Sequence, residues 1–144
     1  MIKLCIASDH AGFELKSFLV RWLIKSGYEV ADKGPFDETS VDYPDYAHVV
    51  ADTVTVGSAD LGILICGSGN GVCMSANKHP QIRAALCWNV KIASLARQHN
   101  DANVLCLPAR FISRTMAKNI VSAFLSAGFE GGRHAARVGK IPCR

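Results

Sequence analysis

Cys66 stands directly before Gly67, Ser68, Gly69, Asn70 and Gly71, a thiol followed by three glycines that alternate with a hydroxyl and an amide. A free thiol titrates near ~8.5. Lowering that value by about 1.5 units takes roughly 2 kcal/mol, within reach of convergent backbone amides at a helix start. The same amides could hold a developing oxyanion. Proton transfer beside an oxyanion holder is therefore one reading of this stretch, and an inert cysteine in a tight turn is the other. Asp9 and His10 follow an apolar run, and the Tyr43-Pro44 pair follows a polar loop. Each also has a plain reading, a helix cap or a surface turn, and the same holds for His99 and Asn100. Arg133 and Arg137 are spaced four apart, so a helix would place both on one face, where they could clamp a phosphate. A solvated basic tail is the alternative.

Three known uses of glycine-rich turns fail on spacing. A dinucleotide fingerprint needs G-x-G-x-x-G after the first strand, but the pattern here is G-x-G-x-G after the third. A phosphate-binding loop needs Lys after its last glycine, where Val72 stands. A thiol phosphatase loop would need Arg at that same position. What is left is an anion-friendly turn beside a thiol.

The elements that must position these groups follow from periodicity. Strands are predicted over residues 3–8, 28–32, 61–66, 82–87 and 103–107. Helices are predicted over 12–25, 46–56, 71–78, 89–98 and 113–127, the last capped by Ser113. The run over 61–66 is apolar throughout and reads as a strand buried on both faces. Such alternation specifies an α/β fold, a single Rossmann-like (flavodoxin-like) domain over residues 1–144. Its five-stranded parallel sheet has helices on both faces, and a C-terminal tail or helix carries the two arginines. Ligands of such sheets bind at the carboxyl ends of the strands. Those ends are expected to deliver Asp9-His10, the Tyr43 loop, Cys66 with its glycines, and His99-Asn100.

The whole chain is consistent with this. It has 144 residues, 49% of them hydrophobic, which is enough for one full core. The net charge of +4 comes with no Lys/Arg run beyond a loose cluster near the C-terminus, which suits a small anionic ligand and excludes a nucleic-acid track. Residues 1–7 read as a strand rather than a leader, and no apolar run approaches bilayer length, so neither membrane nor export is expected and the cytoplasm is the expected location. The six cysteines include no C-x-x-C pair, and the Cys66–Cys73 spacing fits no zinc pattern. Cys5, Cys87 and Cys106 sit in apolar strand candidates and read as small buried hydrophobes.

Taken together, Asp9-His10-Ala-Gly, Asp42-Tyr43-Pro44, Cys66-Gly-Ser-Gly-Asn-Gly71, Arg97-Gln-His-Asn-Asp101 and Glu130-Gly-Gly-Arg-His-x-x-Arg137 resemble the type-B ribose-5-phosphate isomerase family, which also holds galactose- and allose-6-phosphate isomerases. The resemblance runs through the whole chain in order. It implies an aldose–ketose isomerase of the non-oxidative pentose phosphate pathway, interconverting ribose 5-phosphate and ribulose 5-phosphate with no cofactor and no metal. A hexose 6-phosphate (allose or galactose) is the alternative substrate. By the same resemblance Cys66 is the base that moves a proton between C2 and C1, while Ser68 and the amides of Gly67 to Gly71, with Gly69 and Asn70, hold the enediolate. His99, helped by Asp9, opens the sugar ring, and Asn100 and Tyr43 line the site. Arg133 and Arg137 bind the phosphate with His10, Arg110 and His134. A homodimer or dimer of dimers is implied, with the active site at the subunit interface. Ser68 stands where relatives often carry Thr. The glutamate base of a second branch has no counterpart in Met74-Ser75-Ala76, which points to the cysteine branch. A nucleotide- or flavin-binding module without catalysis remains the reading from another class, disfavoured by the failed fingerprints.

Overall fold

The structure, a computed structural model, describes residues 1–143. The elements run β1 (Lys3–Ser8), α1 (Phe13–Lys25), β2 (Glu29–Asp32), α2 (Tyr43–Thr55), β3 (Leu61–Cys66), α3 (Asn70–Ala76), β4 (Ala84–Leu86), α4 (Val90–Asn100), β5 (Val104–Pro108), α5 (Arg114–Ser126) and α6 (Arg133–Val138). Every strand pair is parallel, in the order β2-β1-β3-β5-β4. The expected α/β sheet with helices on both faces is therefore present. The order begins as in flavodoxin-like folds and then exchanges the last two strands. That exchange matters for the site. With β5 beside β3, Cys66 pairs with Pro108, and the segment that follows β5 leaves the sheet next to the thiol.

β3 is buried along its whole length because side chains on a strand alternate between faces and both faces are covered. Leu61, Ile63 and Ile65 join Leu15, Leu19 and Leu23 of α1 and Ile120 and Phe124 of α5. Leu64 and Cys66 point the other way, into a cluster with Ala47, Val50 and Ala51 of α2 and Val72 and Ala76 of α3. The parity of β3 thus aims Cys66 at the α2/α3 layer. Two glycines let the backbone close around it. A Cβ at Gly62 would run into Val50, so α2 sits directly on β3. A Cβ at Gly12 would lie 2.7 Å from the Ile65 carbonyl oxygen, so the β1–α1 turn is pressed onto the end of β3.

Two boundaries differ from the expected ones, and both move candidate residues. α2 begins at Tyr43 rather than near residue 46, with Pro44 in its first turn, where a missing N–H leaves no bond unmade. Tyr43 is therefore set by a helix start, not by a loop. α4 runs through Asn100 rather than stopping at residue 98, so His99 and Asn100 form its last turn instead of a polar turn. The helix is held to that length from outside. Asp101 ends it in the left-handed conformation, φ 48°, which costs a non-glycine residue energy. Its carboxylate meets Arg97 Nη1 at 3.1 Å and Arg83 Nη2 at 3.3 Å, and Arg97 Nη1 also donates to the Ala102 carbonyl at 2.7 Å. Ser113 caps α5 as expected, accepting from the Met116 N–H at 3.0 Å. Among the described residues no helix is long and apolar enough to cross a membrane.

Candidate active site

The chain winds one way from β1 to β2 and the other way from β3 onward, which opens a crevice beyond the carboxyl ends of β1 and β3. A cavity of about 510 Å³ occupies it, lined by Asp9, His10, Ala11, Tyr43, Cys66, Gly67, Ser68, Gly71, Arg110 and Phe111. Cys66 is only 5% exposed but reaches this cavity from the last position of β3. The thiols of Cys5, Cys87 and Cys106 do not line it. Burial pushes Cys5 and Cys87 up to about 12 and raises Cys106 well above its usual value, so all three stay protonated and inert. All six cysteines are free thiols.

The turn after Cys66 is shaped by its glycines. Gly69 adopts φ 77°, a left-handed value that favours glycine, and starts α3. Ser68 Oγ accepts from the Asn70 N–H at 3.3 Å. The N–H groups of Gly67, Ser68, Gly69 and Gly71 have no protein partner among the described residues and remain donors. The Tyr43 ring occupies the place where a Cβ of Gly71 would stand, and a Cβ at Gly67 would lie 3.1 Å from Arg110 Nη1. Gly67 and Gly71 therefore bring an aromatic ring and a guanidinium against the turn. Arg110 is delivered by two backbone bonds that zip the chain after β5 to the turn: Ala109 N–H to Cys66 O at 2.9 Å and Arg110 N–H to Gly67 O at 3.0 Å. Asp9 N–H donates to Ile65 O at 3.1 Å, and Asp9 Oδ1 accepts from Gly12 N–H at 3.1 Å, so its carboxylate caps the α1 entry while lining the cavity. His10 Nδ1 accepts from the Val41 N–H at 3.2 Å, which leaves the neutral ring's proton on Nε2.

The remaining candidates lie elsewhere in the chain. A crossover helix runs antiparallel to its strands, so the C-terminal turn of α4 falls at the amino edge of the sheet. The expectation that His99 and Asn100 stand at a carboxyl end is corrected accordingly. Asn100 borders a different cavity, with Arg83, Ala102 and Val138, and the length of β5 alone separates the two edges by about 13 Å. α6 joins the α4 end. Its backbone places Arg133 and Arg137, both exposed, on one face as their spacing predicts. His134 is buried beneath them and stacks on His99, centroids 4.1 Å apart. The candidate residues of one chain thus fall into two groups. The first has the thiol, the free amides, Asp9, His10, Tyr43 and Arg110; the second has His99, Asn100, Arg133, His134 and Arg137.

A sequence model of a family described as Ribose/Galactose Isomerase matches residues 4–141. The chain belongs to that family. A probable ribose-5-phosphate isomerase B of Mycoplasma pneumoniae is 54% identical over 137 residues, covering 94% of this chain and 90% of the relative. The crystal structure of a ribose 5-phosphate isomerase from Thermotoga maritima superposes with a TM-score of 0.97 at 50% identity, covering 98% of this chain and 97% of that one. The Mycoplasma genitalium ribose-5-phosphate isomerase B, solved with bound ribulose-5-phosphate, gives a TM-score of 0.93 at 50% identity, with 96% and 93% covered. For this member of the Ribose/Galactose Isomerase family, sequence reasoning passed over two lining residues, Ala11 and Phe111. Phe111 is 75% exposed at the cavity wall. Its only sequence signal was an aromatic side chain directly after Arg110 where the chain leaves β5.

Proposed function

We propose that this chain interconverts ribose 5-phosphate and ribulose 5-phosphate, as one domain over residues 1–144 acting in the cytoplasm as a homodimer or dimer of dimers. The observation that carries this reading is the placement of Cys66 beside four free amides and an arginine in one cavity. Cys66, as thiolate, removes the proton from C2 of the open aldose and returns it to C1. The electrons pass into the C1 carbonyl, and the enediolate oxygen that forms is met by the amides of Gly67 to Gly71 and by Ser68; the O2 hydroxyl proton passes to O1, so that C2 becomes the ketose carbonyl as C1 takes its proton. One such donor contributes roughly 3–4 kcal/mol to the transition state. The relatives named for ribose 5-phosphate at about this level of identity support the pentose over a hexose 6-phosphate.

Ring opening and phosphate binding require the second half-site, and the two halves lie at opposite edges of one sheet. The reading that joins them is a two-fold pairing in which His99, Asn100, Arg133, His134 and Arg137 of one protomer enter the cavity of its partner. Asp9, His10 and Arg110 then belong to the protomer that supplies Cys66.

The test is an isomerase assay with a chelator present. Ribose 5-phosphate is expected to be converted with kcat/KM at least about tenfold above that for allose or galactose 6-phosphate. A higher value on either hexose would move the reading to the alternative substrate, and loss of turnover in chelator would end the metal-free mechanism. Arg137→Ala is expected to raise KM roughly tenfold to hundredfold, the loss of one charge-assisted contact to phosphate, with kcat held within about threefold. An unchanged KM would return Arg137 to a solvated tail.

A further inference from the structure

The turn between α5 and α6 carries a carboxylate that the reading above does not use. The Glu130 N–H donates to Gln98 O at 3.0 Å, which fixes the turn against the end of α4. Glu130 Oε1 lies 3.7 Å from His99 Nε2 and 3.7 Å from His134 Nε2. The two rings are stacked, with planes only 12° apart. One carboxylate oxygen is thus shared by two imidazoles held side by side.

The trio could be taken for a metal site, since one ligand atom from each residue falls within 4.8 Å of the others. Two features oppose that. Parallel rings run their in-plane lone pairs side by side instead of converging them on one ion. Arg133 and Arg137, on the same helix as His134, add positive charge where a cation would sit. The arrangement suits one proton shared between two rings.

The two rings are unequal partners for it. The His134 side chain is 11% exposed and that of His99 is 38% exposed. Burial lowers the His134 pKa, His99, Arg133 and Arg137 lower it further, and Glu130 only partly offsets them. His134 therefore serves as a neutral wall behind the more exposed His99 ring. The groups facing His99 are Glu130 from the turn and His134, with its neighbours Arg133 and Arg137, from α6. Arg97, on its own helix, is turned to Asp101.

We propose that Glu130 is a positioning residue for His99: its carboxylate, braced by the stacked His134 ring, orients the His99 imidazole and favours its charged form for ring opening. The proposal rests on the reading of His99 as the ring-opening acid and base. At 3.7 Å the contact is a charge contact that contracts to a hydrogen bond when His99 takes the proton.

The experiment follows the His99 and His134 ring C2 protons by NMR through a pH titration in wild type, Glu130→Gln and Glu130→Asp, with steady-state kinetics beside it. In Glu130→Gln the His99 midpoint is expected to fall by about half to one pH unit. Its kcat near neutral pH is expected to fall roughly tenfold with KM within about twofold, and Glu130→Asp to recover part of both. A His99 midpoint unmoved in Glu130→Gln, or a loss confined to KM, overturns the proposal. His99→Ala, assayed in parallel, separates the two claims. A wild-type rate in His99→Ala sinks the role of His99 itself and the proposal with it. A slow His99→Ala enzyme with an unmoved midpoint in Glu130→Gln sinks the proposal alone.

Discussion

Cys66→Ala is expected to lower kcat on ribose 5-phosphate by about 10²–10⁴, the range a positioned general base contributes. The same variant should lose exchange of the substrate C2 hydrogen with solvent deuterium, while substrate still protects the fold against heat. The physical ground is that the substitution removes one sulfur and little else. Cys66 is 5% exposed and packs with Ala7, Leu64 and Val72, so the lost contacts cost about 1 kcal/mol and the β3 backbone stays paired with Pro108. The amides of Gly67 to Gly71 are set by the turn's backbone, with Gly69 at φ 77°, and do not depend on the thiol. Phosphate binding and the oxyanion donors therefore survive. A Cys66→Ala enzyme that turns over at the wild-type rate, or one that fails to bind substrate, would remove the proton-transfer role. Cys5, Cys87 and Cys106 cannot substitute for it, because burial holds each thiol protonated. Cys73, whose thiol donates to the Ala84 carbonyl at 3.4 Å, does not line the cavity, so retained activity could not be assigned to it either.

What the sequence made legible follows from where each signal is written. Cys66 and its glycines were readable because strand end, thiol and turn occupy consecutive positions, and β3 parity then decides the face. Ser113 as a cap was readable for the same reason, since an N-cap is a local device. Tyr43 was misplaced into a loop because Pro44 suits both a loop end and a helix start, and packing of α2 on Gly62 decided between them. The α4 boundary was missed because the groups that extend it are remote: Arg83 lies 18 positions from Asp101 and meets it only once β4 and β5 pair. Placing His99 at a carboxyl strand end was an error of direction, not of residue choice. The chain reaches His99 on its way into β5, so the residue belongs to that strand's beginning. The exchange of β4 and β5 in the sheet, which puts Arg110 beside Cys66, has no local signature at all.

That error of direction carries the sharpest consequence for assembly. If the half-sites meet only between protomers, a Cys66→Ala chain and a His99→Ala chain are each inactive alone yet hold complementary halves. Unfolded together and refolded as a mixture, they should regain roughly a quarter of wild-type activity. About half the dimers are mixed, and each mixed dimer has one intact site, Cys66 of one protomer with His99 of the other, and one site lacking both. If both residues served the same protomer's site, every site in the mixture would lack one of them and the mixture would stay as slow as its components. The separation inside one chain favours the first outcome. Cys66 is opposite the last residue of β5, whereas His99 precedes the first residue of β5 and is fixed there by the stack on His134 and by Asp101 between Arg83 and Arg97. No rotamer of a histidine spans that length of strand. A mixture that stays inactive, with both variants shown to be dimeric and folded, would require the cavity around Cys66 to open the sugar ring with its own groups, and Asp9 and His10 are the ones at hand there.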